Sequence, residues 1–326
     1  MIDPLHKLRT HMKSVQIAAA VLFASSTMAM AQEKVQISYS GVLSIEHLSA
    51  TDFDENYFYG NGDLSFRWAS STDLKFGADL GIETFGLLSN NTSYYDLTAY
   101  YASGIIEGQF GKLSVGMPRG IMDDYFAVPA VAGSEIFNLE IAVLGTDLFR
   151  YLKLLSSEFD ENMYGVRYDG KIGEIEVAAS ISKFSESSEN LNIGEIVARY
   201  DAGQWSVTLG TSLLEIDGSS VNSTSLEVQG HAGNFSGGIV YNMSDVLVSF
   251  SDSARVFASY DVNDAVKINA QVSSYQFIGD SSELIYSLDL SYKHKSGAFV
   301  NAGVITSETL SGLGDKIFNV SLGYKF

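Results

Sequence analysis

Apolar and polar residues alternate one by one along most of the chain, and the pattern is plainest at the two ends. Val35, Ile37, Tyr39, Leu43 and Ile45 share one parity and Gln36, Ser38, Ser40, Ser44 and Glu46 the other. Near the C-terminus Phe318, Val320, Leu322, Tyr324 and Phe326 alternate with Asn319, Ser321, Gly323 and Lys325. A period of two gives a β-strand one apolar and one polar face. Read this way, the sequence predicts strands at 35–46, 62–70, 72–84, 94–104, 108–116, 161–169, 173–184, 194–202, 204–215, 224–232, 234–242, 254–262, 264–277, 284–294, 297–306 and 315–326. That is sixteen, an even number, which lets both termini lie on one side of a barrel. Tight turns at Ser70-Ser71, Asp201–Gln204, Val262-Asn263 and Lys295–Gly297 alternate with longer polar loops at 47–61, 85–93, 185–193, 216–223 and 307–314.

The alternation fails from Met117 to about Asp160. This stretch holds Pro118 and Pro129, and proline has no N–H to give a strand ladder. A loop of such length in a compact domain is usually functional, and this one is rich in Phe, Leu and Ile. The reading is a segment folded into the interior of a barrel, where it narrows a channel. Thr146 followed by Leu148, Tyr151, Leu152 and Leu155 predicts a short capped amphipathic helix within it.

The remaining segments say where such a sheet would reside. Met12 and Lys13 open a charged region, Val15 to Phe23 is apolar, and Ala29-Met30-Ala31 is a small-x-small cleavage site. Residues 1–31 are therefore read as an upstream extension and signal peptide, and 32–326 as one barrel domain with 117–160 as its constriction loop. Removing Lys7, Arg9, Lys13 and Asp3 takes the net charge from −19 to −21, which argues against nucleic acid as a partner. The chain has no cysteine for a disulfide or thiolate metal site. No other segment is apolar enough to span a bilayer as a helix, so a membrane-resident form must be a closed barrel. Trp68, Tyr101, Tyr168, Tyr200, Tyr260, Tyr292 and Tyr324 end alternate strands at the short-turn rim. They are read as an outward, periplasmic aromatic girdle.

Two motifs carry a resemblance. The closing strand KIFNVSLGYKF, with its terminal Phe326, resembles the C-terminal signature of outer-membrane proteins. GQFGKLSVGMPRG, with Phe110, Gly111, Leu113, Gly116 and Pro118, is similar to the strand that leads into the constriction loop of proteobacterial general diffusion porins. This resemblance implies a homotrimer of sixteen-stranded antiparallel transmembrane β-barrels, each with its long third loop folded into the lumen. It also implies contact with outer-membrane lipid and lipopolysaccharide, and passive diffusion of small hydrophilic solutes and ions. Small outward residues such as Ala78, Ala99, Ala179 and Ala198 would pack between barrels.

The inward parity carries nine basic residues, Arg67, Lys75, Lys112, Arg167, Arg199, Arg255, Lys267, Lys293 and Lys325. Against them stand ten acidic ones: Glu46, Asp63, Asp73, Asp79, Glu83, Asp96, Glu176, Glu227, Asp261 and Asp289. The wall is thus close to neutral. The loop is not, with Asp123, Asp124, Glu135, Glu140, Asp147, Glu158 and Asp160 against Arg119, Arg150 and Lys153. By the resemblance, loop carboxylates face basic wall residues across the eyelet. Asp123, Asp124 and Glu135 are then opposed by Arg67 and Lys75, and mobile cations are mildly favoured. Asp52, Asp54 and Glu55 in the first loop form a candidate site for Ca2+, with a solvated acidic loop as the alternative. His231 has Glu227 and Gln229 as neighbours on its face, and no nucleophile motif accompanies it, so no enzyme is indicated. A non-conducting barrel serving as adhesin or structural anchor is the competing reading. A substrate-specific channel would need more inward aromatics than Phe257 and Phe299.

Overall fold

The computed structural model describes residues 35–51, 53–69, 73–88, 96–126, 129–135, 162–185, 191–216, 218–244, 250–277, 282–307 and 316–326. Sixteen antiparallel strands run in chain order: β1 (Val35–Ala50), β2 (Phe53–Ala69), β3 (Lys75–Leu87), β4 (Asp96–Gly108), β5 (Gly111–Met117), β6 (Asn162–Ile172), β7 (Ile175–Ser185) and β8 (Leu191–Asp201). They continue as β9 (Trp205–Ile216), β10 (Ser219–Ala232), β11 (Phe235–Ser244), β12 (Phe250–Asp261), β13 (Val266–Phe277), β14 (Ser282–Lys293), β15 (Ala298–Ser307) and β16 (Lys316–Lys325). Each pairs with its sequence neighbours, and β1 closes on β16. Closure leaves no strand edge, the condition for a sheet in lipid. Among the described residues no helix is long and apolar enough to cross a membrane.

Every expected strand is present, but two expected loops are not. Segment 47–61 is mostly sheet, since Ala50 pairs with Phe53 and His47 with Asn56. Within 216–223, Ile216 and the residues from Ser219 onward are likewise sheet, with Ile216 opposite Ser219. The polar residues there predict loop, but the ladder is made by backbone groups and runs on whatever the side chains are.

The alternation divides the residues as anticipated. Ile45, Leu288, Leu290, Val320 and Leu322 are all outward and at least half exposed, as a lipid-facing surface requires. Trp68, Tyr168, Tyr260, Tyr292 and Tyr324 stand outward near the short-turn rim. Tyr101 and Ala99 do not belong with the outward sets. Both are buried, and Tyr101 directs its hydroxyl to Glu83 inside the barrel. β4 carries Tyr100 and Tyr101 side by side, so pattern alone gave the wrong phase. Phe326 completes the seam: it exchanges backbone hydrogen bonds with Gly41 at 3.0 and 3.1 Å, and its ring lies over Gly41, where a Cβ would approach within 2.5 Å.

The inward face is polar over its lower part but not near the long-loop rim. Leu48, Phe85, Leu97, Met163, Phe184 and Ile193 are buried there in one apolar cluster that continues through β9 and β13–β16. The polar inner face that the alternation predicts gives way to apolar residues in this belt.

Candidate functional site

The segment after β5 leaves the wall at Pro118, where the ladder ends and the missing N–H costs nothing. Arg119 then turns back against the wall. Its Nε donates to Asp63 Oδ1 at 2.8 Å, Nη2 to Asn61 Oδ1 at 2.7 Å, and its guanidinium lies 4.2 Å from the Tyr101 ring centre. Nη1 is 3.9 Å from Glu83, which is fully buried and accepts from the hydroxyls of Tyr59 and Tyr101. Burial opposes the charge on Arg119, but Tyr101, Asp63 and Glu83 outweigh it and its pKa is raised. One short helix follows, α1 (Ile121–Tyr125), with Ile121 and Met122 buried. Its first N–H, on Ile121, donates to Glu195 Oε2 on β8 at 3.1 Å, a carboxylate at an otherwise unsatisfied helix start. Asp124 on α1 accepts from Arg167 Nη1 of β6 at 2.5 Å, and Arg167 also holds Asp169 through Nε and Nη2. The phenol of Tyr125 is pushed up to about 12, by burial first and Asp169 next, and so stays neutral.

The chain next meets the opposite wall. Residues 131–134 make a tight turn, closed by Ser134 N–H to Val131 O at 3.0 Å. Ala132 and Gly133 both take positive φ, 51° and 69°, and Ala132 is the single non-glycine residue to do so among the described residues. The turn is pinned from outside: Asn319 Nδ2 donates to Ala132 O at 3.1 Å and Asn301 Nδ2 to Gly133 O at 3.2 Å. Glu46 of β1 accepts from Ser134 Oγ at 2.7 Å and from Glu135 N–H at 3.0 Å. In the ring of strands β8 and β16 stand eight places apart. The described residues 118–126 and 129–135 therefore attach as a strap to facing walls, and their partners Glu46, Glu195, Asn301 and Asn319 are on inward positions.

Among the residues singled out from sequence, Arg119, Asp124 and Glu135 are in the strap's attachments, Glu135 through its backbone. Asp123 is on α1 beside Asp124. Glu140 and the helix anticipated near Thr146 lie outside the described residues. Arg67 and Lys75 do not face the strap. Arg67 makes a two-pronged bond to Asp79 at 2.7 and 3.0 Å, and Lys75 bonds Glu107 at 3.1 Å, both near the short-turn rim. Among the described residues, the basic wall residue that meets a loop carboxylate, that of Asp124, is Arg167. Its inward parity was legible, but its register against the loop was not. A cavity of about 170 Å³ is bounded by Asp63, Asp79, Tyr101, Arg119, Asp124 and Arg167.

The wall is also less balanced than sequence counting suggested. Among the described residues, register places Glu55, Glu107, Asp169, Glu195, Asp201 and Glu283 inward as well, against one further base, Lys171. The candidate Ca2+ ligands do not converge: Glu55 pairs opposite Leu48 on the inward face and Asp54 opposite Ser49 on the outward face, 3.7 Å from His47. Asp52 lies outside the described residues.

The profile of the family described as Gram-negative porin matches residues 18–309. A mutant of the porin of Rhodopseudomonas blastica aligns over 89% of this chain and 100% of its own at 14% identity, with a TM-score of 0.62. The Vibrio cholerae outer membrane protein OmpT without its loop L8 aligns over 90% and 100% at 15% identity and 0.63. A porin refined at 1.8 Å aligns over 89% and 100% at 17% identity and 0.63. No curated protein matches the chain.

Proposed function

This chain belongs to the Gram-negative porin family and resides in the outer membrane, and from that premise we propose that it is a diffusion channel with a modest preference for cations. One observation carries the preference. At the strap's root the carboxylates of Asp63 and Asp124 are 41% and 42% exposed, whereas the guanidiniums bound to them, Arg119 and Arg167, are only 13% and 6% exposed. Water in the lumen therefore meets the negative member of each pair. Low-dielectric walls focus such fields and enrich the counter-ion. The additional inward carboxylates act in the same sense.

Association into trimers is part of the reading. Outward positions on β2–β4 include Gly60, Gly62, Ala78, Ala102 and Gly104, a run of small side chains over which a second barrel could lie flat. The larger outward residues elsewhere would face lipid and lipopolysaccharide. The inward apolar belt favours a second reading, a barrel closed near its long-loop rim that does not conduct. Reconstitution separates the two: liposomes bearing the protein should swell in small sugars and planar bilayers should show unitary steps. Protein that is folded and inserted yet silent in both assays would favour the closed barrel.

A further inference from the structure

The strap's two ends meet the wall differently, and the difference identifies a residue that no charge pattern points to. On β15 the inward positions Asn301 and Gly303 face the turn at 131–134. A Cβ on Gly303 would fall on the carbonyl oxygen of Ala132 and come within 2.8 Å of the Ala132 Cβ. Its φ is not positive, so the backbone does not require glycine there. Close approach of another chain segment does. The obstacle is backbone, which cannot swing aside. At the other end Gly210 of β9 is a softer seat: a Cβ there would meet Met122 Sδ at 2.6 Å and Phe126 Cε2 at 2.8 Å, both ends of flexible side chains.

We propose that Gly303 is a positioning residue for the constriction: it is the gap in the wall into which the strap's tip settles, and Asn301, Asn319 and Glu46 fasten the tip once it is there. The tip has good reason to need a seat. Ala132 is held at positive φ, a conformation that its Cβ disfavours, so the turn persists because the wall holds it. Fill the gap and the bonds from Asn319 and Asn301 cannot both form. The tip then leaves the wall, and the cross-section it had fixed changes. This consequence for conduction rests on the channel reading; the seating itself does not.

Two readouts keep those apart. Ser134 is fully buried and the chain has no cysteine, so Ser134→Cys gives a near-isosteric probe for a water-soluble maleimide. The probe should be unreactive in an otherwise unchanged barrel and reactive when combined with Gly303→Val. In planar bilayers Gly303→Val should raise mean unitary conductance by about two-fold and admit larger sugars, as expected when the narrowest point of a pore widens. Gly194→Ala is the control, because Gly194 is outward and its nearest neighbour would be 4.0 Å from the new Cβ. If Gly303→Val does not fold, Asn301→Ala with Asn319→Ala removes the fastening without adding bulk and should give both effects. A protected cysteine in folded Gly303→Val, or in the double-asparagine variant should it be needed, overturns the seating. A reactive cysteine with unchanged or lower conductance overturns the role in the constriction. A silent parent barrel with a protected cysteine overturns the channel reading and leaves the seat in place.

Discussion

Replacing Arg119 with alanine should destabilise this barrel far more than replacing Lys75, although both are cations on the inner side. Arg119 is 13% exposed and sits between Asp63, Asn61, the Tyr101 ring and the fully buried Glu83. Removing one partner of a buried ion pair costs about 3–5 kcal/mol, because the other charge is left in a poor solvent. Tyr59 and Tyr101 still donate to Glu83, at 3.1 and 3.4 Å, so the lower end, about 3 kcal/mol, is the expected loss. Lys75 is 53% exposed and its pair with Glu107 is open to water, where such pairs contribute about 0–1 kcal/mol. Urea unfolding of the lipid-embedded protein, followed by the fluorescence of its two tryptophans, gives both values. Equal midpoints for Arg119→Ala and Lys75→Ala would show that Arg119 is solvated, and would remove the argument for a fixed root to the strap.

Asp124→Asn should lower cation preference by about three-fold, since an ion passing about 6 Å from one carboxylate in water feels about 0.7 kcal/mol. The shift should shrink as salt rises, and Arg67→Gln with Lys75→Gln should move the zero-current potential much less. A larger shift from the second pair would return the eyelet to the short-turn rim. Deleting Phe326 removes both backbone bonds to Gly41 at the β1–β16 seam. It should reduce the amount of folded barrel in cells while leaving the conductance of assembled channels unchanged; normal yields would contradict this. Ala78→Trp should convert a heat-sensitive oligomer to monomer on unheated gels, and an unaltered band would place the contact elsewhere.

Fold and site were legible in the sequence to different degrees, for a physical reason. Period-two alternation is a local property, so the strands, their number and the interruption at Met117 could be read directly. Its phase is uncertain wherever two similar residues adjoin, as at Tyr100-Tyr101, and its ends are uncertain wherever polar residues occupy paired backbone, as at His47 and Asn56. The partners of the strap are long-range: Glu195 meets Ile121 and Glu46 meets Ser134 only because the sheet closes and the segment turns inward. Nothing near those residues in sequence announces it. Gly303 was invisible for a related reason, because a glycine within a strand reads as a weakness until another backbone is found against it.

The central claim is that water in the lumen meets carboxylates while their guanidinium partners are turned to the wall. Its most direct test is the zero-current potential of the unmodified protein in a planar bilayer across a tenfold KCl gradient. The account predicts a potential of the sign that marks K+ as the more permeant ion, declining toward zero as both solutions are made more concentrated. A potential of the opposite sign would contradict it.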